Sequence, residues 1–399
     1  MLSRLNGWLH LWLGLITGLV VFIVSITGCV YVFVDELKAT FYKERLFVEP
    51  TGQPVKPLSE MLANAKQSLG PAYRISRLDI HPASNRSWVF RALETNPDGI
   101  GHRGYYRYYY RIYVNPYSGE VIHVEDATTE FFQLILDAHM RLLLGQKIGH
   151  PIVSYSVLIF GYMLISGLIL WWPKKWTKKV LLQGLNVKWK ASFKRVNYDM
   201  HNVLGFYVLI PALALAITGL VFSFTWVDQS LYFLFSGGQT KVARNIPKSA
   251  HQLTPSPVPL DCALVDVLQK HTSADMISIR FNENPEAPYD FQIRKVKSRT
   301  YHFEWSYYDR NSAQLLYSYG TDDLNTAEKV RAMNFDLHVG SFMGMPGKIL
   351  AFLASLICAS LPITGFFIWY NRKWGKRRRR AHRHHHSDPE GSGTRKQPA

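Results

Sequence analysis

Four long apolar runs divide the chain, at roughly 8–34, 150–172, 203–227 and 347–370. Each reaches the about 20 apolar residues that a helix needs to cross a bilayer core. The two long segments between them alternate differently. Residues 57–69, "PLSEMLANAKQSL", have helical spacing, and "RISRLDIHP", "SWVFRAL" and "YRIYVNPYSGEVIHV" then read as strands. Residues 260–271 read as a second helix, followed by "MISIRF", "YDFQIRK" and "HFEWSYYDRNSAQLLYSY". "VNPYSGEV" and "YDRNSAQL" sit at matching hairpin turns, where Asn, Pro, Ser and Gly supply turn geometry. The pattern predicts a membrane α-helical bundle of four transmembrane helices plus two external α+β domains, each a small helix on an antiparallel sheet.

The expected boundaries follow. Residues 1–35 form the first transmembrane helix, 36–130 an external domain, and 131–173 a short external helix and the second span. A basic loop occupies 174–199 and the third span 200–227. The second external domain takes 228–330, an external helix and the fourth span 331–371, and a basic tail 372–399.

Self-similarity orders these pieces. In "LHLWLGLITGLVVFIVSITG", His10 precedes Gly14 by four residues and the Thr27-Gly28 pair by seventeen. In "MHNVLGFYVLIPALALAITG", His201 stands in the same relation to Gly205 and Thr218-Gly219. "DAHMRLLLG" places His139 28 residues before Gly167, and "DLHVGSFMG" places His338 27 before Gly365. Both copies leave through aromatic-basic segments, "LWWPKKW" and "IWYNRKW". The chain reads as an internal two-fold repeat of helix, domain, helix, a plan in which function sits at the repeat interface.

The net charge of +17 would suit a nucleic-acid binder. Its placement says otherwise. Lys174, Lys175, Lys178, Lys179, Lys188, Lys190, Lys194 and Arg195 follow the second span; Arg372, Lys373, Lys376 and Arg377 to Arg380 follow the fourth. Basic residues hugging span ends mark the cytoplasmic side. Both termini are therefore expected in the cytoplasm, both large domains across the membrane, and the charge against lipid, with no nucleic acid as partner. Three cysteines make no disulfide framework, and Cys29 and Cys358 fall inside spans as packing residues. "SITGC" loosely resembles a lipoprotein cleavage site, but its apolar run is too long for a signal segment.

An ionisable residue in a span is costly and reads as a functional-site hypothesis. His10 and His201 lie near the cytoplasmic ends of equivalent helices, and His139 and His338 at the external ends of the other two. Matched copies on adjacent helices can face each other. Zinc needs more ligands than either level offers, whereas two opposed imidazoles suit the iron of a haem. Gly14, Gly18, Val21, Ser25 and Gly28 strip one face of the first span of bulk; Gly205, Val208, Ala212, Ala216 and Gly219 do so on the third. Close helix packing alone is the alternative. No C-x-x-C-H occurs, so two non-covalent b-type haems are expected.

Other signals weigh less. His150 falls eleven residues after His139, "GQKIG" between them predicts a helix break, and its counterpart in the fourth span is Lys348. A propionate-pairing or lipid-interface role suits this position better than iron ligation. The tail cluster of His382 and His384 to His386 reads as disordered. "GIGHRG" spells a dinucleotide fingerprint without its strand-helix context and is rejected. In "YYRYYYRIYV", alternation puts Tyr106, Tyr108 and Tyr110 on one face and Tyr105, Arg107, Tyr109 and Arg111 on the other. A half-buried sheet face accounts for it better than an anion site does. The loop between the second and third spans is too short for a flavin domain, so electrons would come from a membrane quinol or a separate cytoplasmic reductase.

"LHLWLGLITG", "VNPYSGEV", "AHMRLLLG" with "GLILWWPKKW", and "LHVGSFMG" with "PITGFFIWYNRKW" together resemble the PepSY-associated transmembrane family, over nearly all of the chain to about residue 374. The resemblance implies PepSY-like external domains and an oxidoreductase of the inner membrane. In that family, bundle histidines hold haem, and ferric siderophores are reduced in the periplasm during iron uptake. His10, His201, His139 and His338 are the matching candidates here. The family commonly has Arg where this chain has His150 and Lys348. PepSY-type domains also act as interaction or protease-regulating modules, which gives the rival reading: a tethered binding protein without redox activity.

Overall fold

The computed structural model describes residues 2–241, 243–249, 258–297 and 299–385. Four of its helices are long and apolar enough to cross a membrane: α1 (Leu2–Tyr31), α5 (Gly145–Trp171), α7 (Phe193–Ser223) and α10 (Met345–His385). The first starts earlier than its apolar run, and the third takes in the polar turns from Phe193. The shorter helices used below are α2 (Val34–Phe41), α3 (Leu58–Leu69), α4 (Phe131–Arg141), α6 (Lys178–Leu185), α8 (Pro259–Lys270) and α9 (Asn334–Val339). Pro151, Pro211 and Pro362 lie inside spans, where neighbouring helices can satisfy the freed backbone groups.

In the bundle, α1 packs on α5 and α10, and α7 packs on the same two. The helices bearing His10 and His201 are therefore diagonal, not adjacent as expected. Leu164, Val208, Ala212, Ala354 and Cys358 fill the middle. Cys29 and Cys358 are buried, as packing residues should be.

The largest departure concerns the domains. The strands are β1 (Ile75–Ile80), β2 (Trp88–Thr95), β3 (Tyr106–Val114) and β4 (Val121–Asp126), then β5 (Met276–Arg280), β6 (Tyr289–Arg294), β7 (Phe303–Tyr308) and β8 (Leu315–Gly320). The helices and hairpins fall where the pattern put them. They do not make two separate units. One antiparallel sheet runs β4-β3-β2-β1-β5-β6-β7-β8, joined where Leu78 faces Ile279 and Ile80 faces Ile277. Both β1 and β5 carry a fully buried apolar face, and each would otherwise be an unpaired edge. Pairing them merges two small cores into one. Leu58, Met61 and Ala65 of α3 and Ala263, Leu264 and Val267 of α8 cover a face made of Leu78, Phe90, Ile112, Ile279, Phe291 and Ile293.

The opposite face of the sheet looks toward one end of the bundle. A crevice there is lined by Tyr31, Asp35, Arg294, Phe335 and Lys348, from the sheet and four helices. Arg111 of β3 reaches Glu130 and Gln133 at the start of α4. In β3 the alternation slips once. The register shifts beside Glu94 and Thr95, so Tyr106 stacks on Tyr109 (6.0 Å between centroids) and leaves the face of Tyr108 and Tyr110.

Candidate functional site

The chain breaks twice just before a span. After α4, Leu142 and Leu143 adopt positive φ (54° and 61°), and the backbones then close up. A side chain on Gly149 would meet the carbonyl oxygen of Arg141 at 1.6 Å. After α9, Gly340 turns with φ of 77°, and a side chain on Gly347 would meet its carbonyl oxygen at 2.1 Å. His139 and His338 thus ride on short helices folded against the bundle, and not on the spans themselves. The break expected in "GQKIG" falls just ahead of it, and it takes His150 off the face of His139.

All four histidines come together in the expected pairs. The ring centroids of His10 and His201 are 6.4 Å apart with planes at 90°. Those of His139 and His338 are 6.1 Å apart at 67°. Each ring lies against a glycine of another helix. A Cβ at Gly167 would stand 3.4 Å from Cε1 of His10, at Gly365 3.3 Å from that of His201, at Gly28 3.3 Å from that of His139, and at Gly219 3.4 Å from that of His338. Eighteen residues separate His10 from Gly28 in α1, and His201 from Gly219 in α7. At 1.5 Å per residue the two levels lie about 27 Å apart along the bundle.

The residue before each glycine is Ser or Thr, and it decides which ring nitrogen carries the proton. Thr364 Oγ1 donates to the carbonyl of Ser360 (2.9 Å), as Thr218 does to Ala214 and Thr27 to Ile23 (2.7 Å each). Ser166 Oγ donates to Asn6 Oδ1 at 2.8 Å. With its hydrogen committed, each hydroxyl oxygen can only accept from a histidine. Nδ1–H therefore donates: His10 to Ser166 (3.1 Å), His201 to Thr364 (3.0 Å), His338 to Thr218 (2.9 Å), His139 to Thr27 (3.2 Å) and to the Val24 carbonyl (2.9 Å). In the neutral ring each Nε2 then keeps its lone pair, the state a metal-binding imidazole requires.

More anchors lie one turn upstream, and the sequence reading passed over them. Asn6, Asn197 and Asn334 each stand four residues before a histidine and donate to the carbonyl of the very Ser or Thr that the histidine uses. His139 has Ile135 at that position and takes the Val24 carbonyl instead. Buried aspartates precede three of the four by two residues. Asp137 binds His102 Nδ1 (2.8 Å) and Arg141 (2.9 Å), Asp199 binds Arg195 (2.8 Å), and Asp336 accepts from the backbone N–H of Thr300 and Tyr301 and from Ser341. The signals were present as repeated N-x-x-x-H and D-x-H spacings. His102, from the rejected "GIGHRG", begins a short helix, Gly101–Tyr105, and ties it to α4.

The remaining candidates separate cleanly. Lys348 is buried and paired with Glu36 (2.7 Å). Arg111 is buried among Glu125, Glu130 and Gln133, so it is a structural residue as the half-buried face implied. Arg107 is exposed and paired with Glu94. The side chains of His382 and His384 to His386 lie outside the described residues.

Chemically, each level offers two neutral imidazoles. Among the described residues no group of three His, Cys, Asp or Glu side chains stands close enough to hold a metal ion, which leaves a closed zinc centre without ligands. In sequence comparison, the family model of the PepSY-associated TM region matches residues 7–372. No curated protein matches the chain.

Proposed function

The chain belongs to the PepSY-associated TM region family, and from that premise we propose that it is a di-haem b electron-transfer protein of a bacterial inner membrane. In this reading its two halves are repeats, its termini are cytoplasmic and its sheet is periplasmic. It reduces a periplasmic acceptor, a ferric siderophore, and so releases Fe(II) for uptake.

The observation that carries the reading is the pairing of four histidines with their Nε2 lone pairs free. Metal–imidazole bonds run about 2.0–2.1 Å. The paired rings, 6.4 and 6.1 Å apart between centroids, are close enough for both imidazoles of a pair to reach one metal ion. The glycine under each ring leaves the imidazole no room to retreat, and the hydroxyl behind it fixes its tautomer. His10 with His201, and His139 with His338, would hold the two groups. Bound haem supplies one-electron chemistry at a potential tuned by its ligands and burial. The chain's own part is to present Nε2, to hold each Nδ1 proton on Ser166, Thr364, Thr27 or Thr218, and to pack the midsection dry. Reduction of the acceptor takes one electron per iron. High-spin Fe(II) binds hard oxygen ligands far more weakly than Fe(III), so the chelate lets go.

Pigment analysis of the detergent-purified protein from haem-replete cells tests this. Two b-type haems per chain are expected, with a Soret band that shifts on dithionite and returns when a ferric siderophore is added anaerobically. His10→Ala and His201→Ala should each lose one haem and His139→Ala and His338→Ala the other, while His150→Ala keeps both. A colourless preparation would overturn the reading and favour a tethered interaction module. Retention of both haems in all four variants would overturn the ligand assignment.

A further inference from the structure

The face of the sheet turned toward the bundle carries an unbroken row of polar and aromatic residues. Successive pairings take it from Glu125 through Arg111, Arg91, Arg77, Arg280, Asp290 and Tyr307 to Tyr317, one residue per strand. Four neighbouring strands thus place arginines side by side, an arrangement that like-charge repulsion opposes unless something anionic offsets it. Arg111 is answered within the fold by Glu125 and Glu130, and only 9% of its side chain is exposed. The other three are less covered: Arg77 is 32% and Arg91 36% exposed, both half-buried beside Asp79, and Arg280 is 50% exposed. Asp79 is shared between Arg77 (2.9 Å) and Arg91 (2.5 Å), and Asp290 stands 3.6 Å from Arg280. Three guanidinium groups therefore face two carboxylates, Asp79 and Asp290.

Beside the arginines stands an aromatic wall. Trp305 stacks on Tyr319 (4.9 Å, 12°) and Tyr307 on Tyr317 (6.3 Å, 22°), with Arg244 over the Tyr319 ring at 4.4 Å. Strands lie about 4.8 Å apart, so the three arginines span roughly 10 Å and the first aromatic column begins about 10 Å beyond Arg280. This face meets the bundle at the end where His139 and His338 lie.

We propose that this face is the acceptor-docking surface, and that it takes a polyanionic metal chelate whose ligating arms are aromatic rings, the tris-catecholate class. The chemistry fits term by term. Three catecholates on a trivalent ion leave a net charge of 3−, which is drawn to the one positive charge that Arg77, Arg91 and Arg280 carry beyond Asp79 and Asp290. The arms offer flat rings to Trp305, Tyr317 and Tyr319. A neutral trihydroxamate chelate would find neither. The inference rests on the redox reading for its purpose, but docking is measurable without any electron transfer.

Gallium(III) tris-catecholate has the charge and shape of the ferric chelate and cannot be reduced under these conditions. Titrated calorimetrically into the full-length protein in detergent, it should bind saturably, and a neutral gallium trihydroxamate at least tenfold more weakly. Arg280→Gln and Arg77→Gln should each weaken the catecholate about tenfold, and Tyr319→Ala several-fold. Arg107→Gln, a cation of the same sheet away from the row, should leave it unchanged. Haem content of each variant, measured in parallel, reports folding and the redox reading separately. Equal affinity for the two chelates, or undiminished affinity in Arg280→Gln with its haem content intact, would overturn the docking assignment even if the protein is red. A colourless protein that still discriminates between the chelates would uphold it.

Discussion

At the scale of single residues, the site is built from a small unit used four times: a histidine on one helix, a Ser-Gly or Thr-Gly pair on another. The glycine admits the ring and the hydroxyl holds its Nδ1 proton. Removing the hydroxyl without changing shape isolates the second function. Thr218→Val should reduce haem affinity at the His338 level about 10–100-fold, the usual effect of losing such a support, while Thr218→Ser retains it. Titration of haem into apo-protein reads both. Gly365→Val tests the first function: with a Cβ already 3.3 Å from the His201 ring, the larger side chain displaces it, and one haem should be lost while His139 and His338 keep theirs. The histidines themselves were legible because the repeat doubled them. Ser166 and Thr364 were not, since a Ser-Gly or Thr-Gly pair in an apolar helix reads as one more small-residue step. What it touches depends on a helix far away in sequence.

At the scale of elements, α4 shows how the helix that carries His139 is held in place by the sheet. Glu130 is its N-cap, accepting from the backbone N–H of Phe132 (2.9 Å) and Gln133 (3.0 Å), from Tyr42 (2.8 Å) and from Arg111 (3.1 Å). Burial pushes its carboxyl up, but Lys38, these N–H groups, Tyr42 and Arg111 outweigh that and hold it down at about 2, against an ordinary 4.5. A depressed folded value means the stabilisation is full above pH 4.5 and is lost as pH falls toward 2. Thermal melts between pH 5 and pH 3 should show the wild type losing stability over that window, and Glu130→Gln losing less. At pH 7, Glu130→Ala should cost more than the about 0.5–2 kcal/mol of an ordinary cap, because Arg111 and Lys38 lose a partner too. If the proposed haem assignment holds, the group at His139 and His338 should be released before the other on heating. Helix and strand limits were readable from periodicity, whereas the diagonal placement of α1 and α7 was not. The apolar stripe of a helix says that it packs, and leaves open which of three neighbours it packs on.

At the scale of the molecule, the seam between β1 and β5 was the feature least visible in the sequence. Each strand, read alone, has one apolar face and a charged one, with Arg77 and Arg280 looking like the charges that guard a free edge. In the fold these two arginines face each other across the joint. The seam also sets a clock on synthesis. When β1 to β4 have formed, the partner of β1 still lies about 150 residues beyond the end of β4, and at 5–20 residues per second its arrival takes about 8–30 s. Through that interval a four-stranded sheet stands with a bare hydrogen-bonding edge and half of its core open. Residues 1–192 made alone should therefore aggregate or be degraded, and co-expression of 193–399 as a second chain should rescue them. Recovery of the pair by affinity purification, with both haems, would measure the rescue; a first half that is stable and monomeric alone would count against it. The newborn chain depends on whatever shields that edge until its own second half is made.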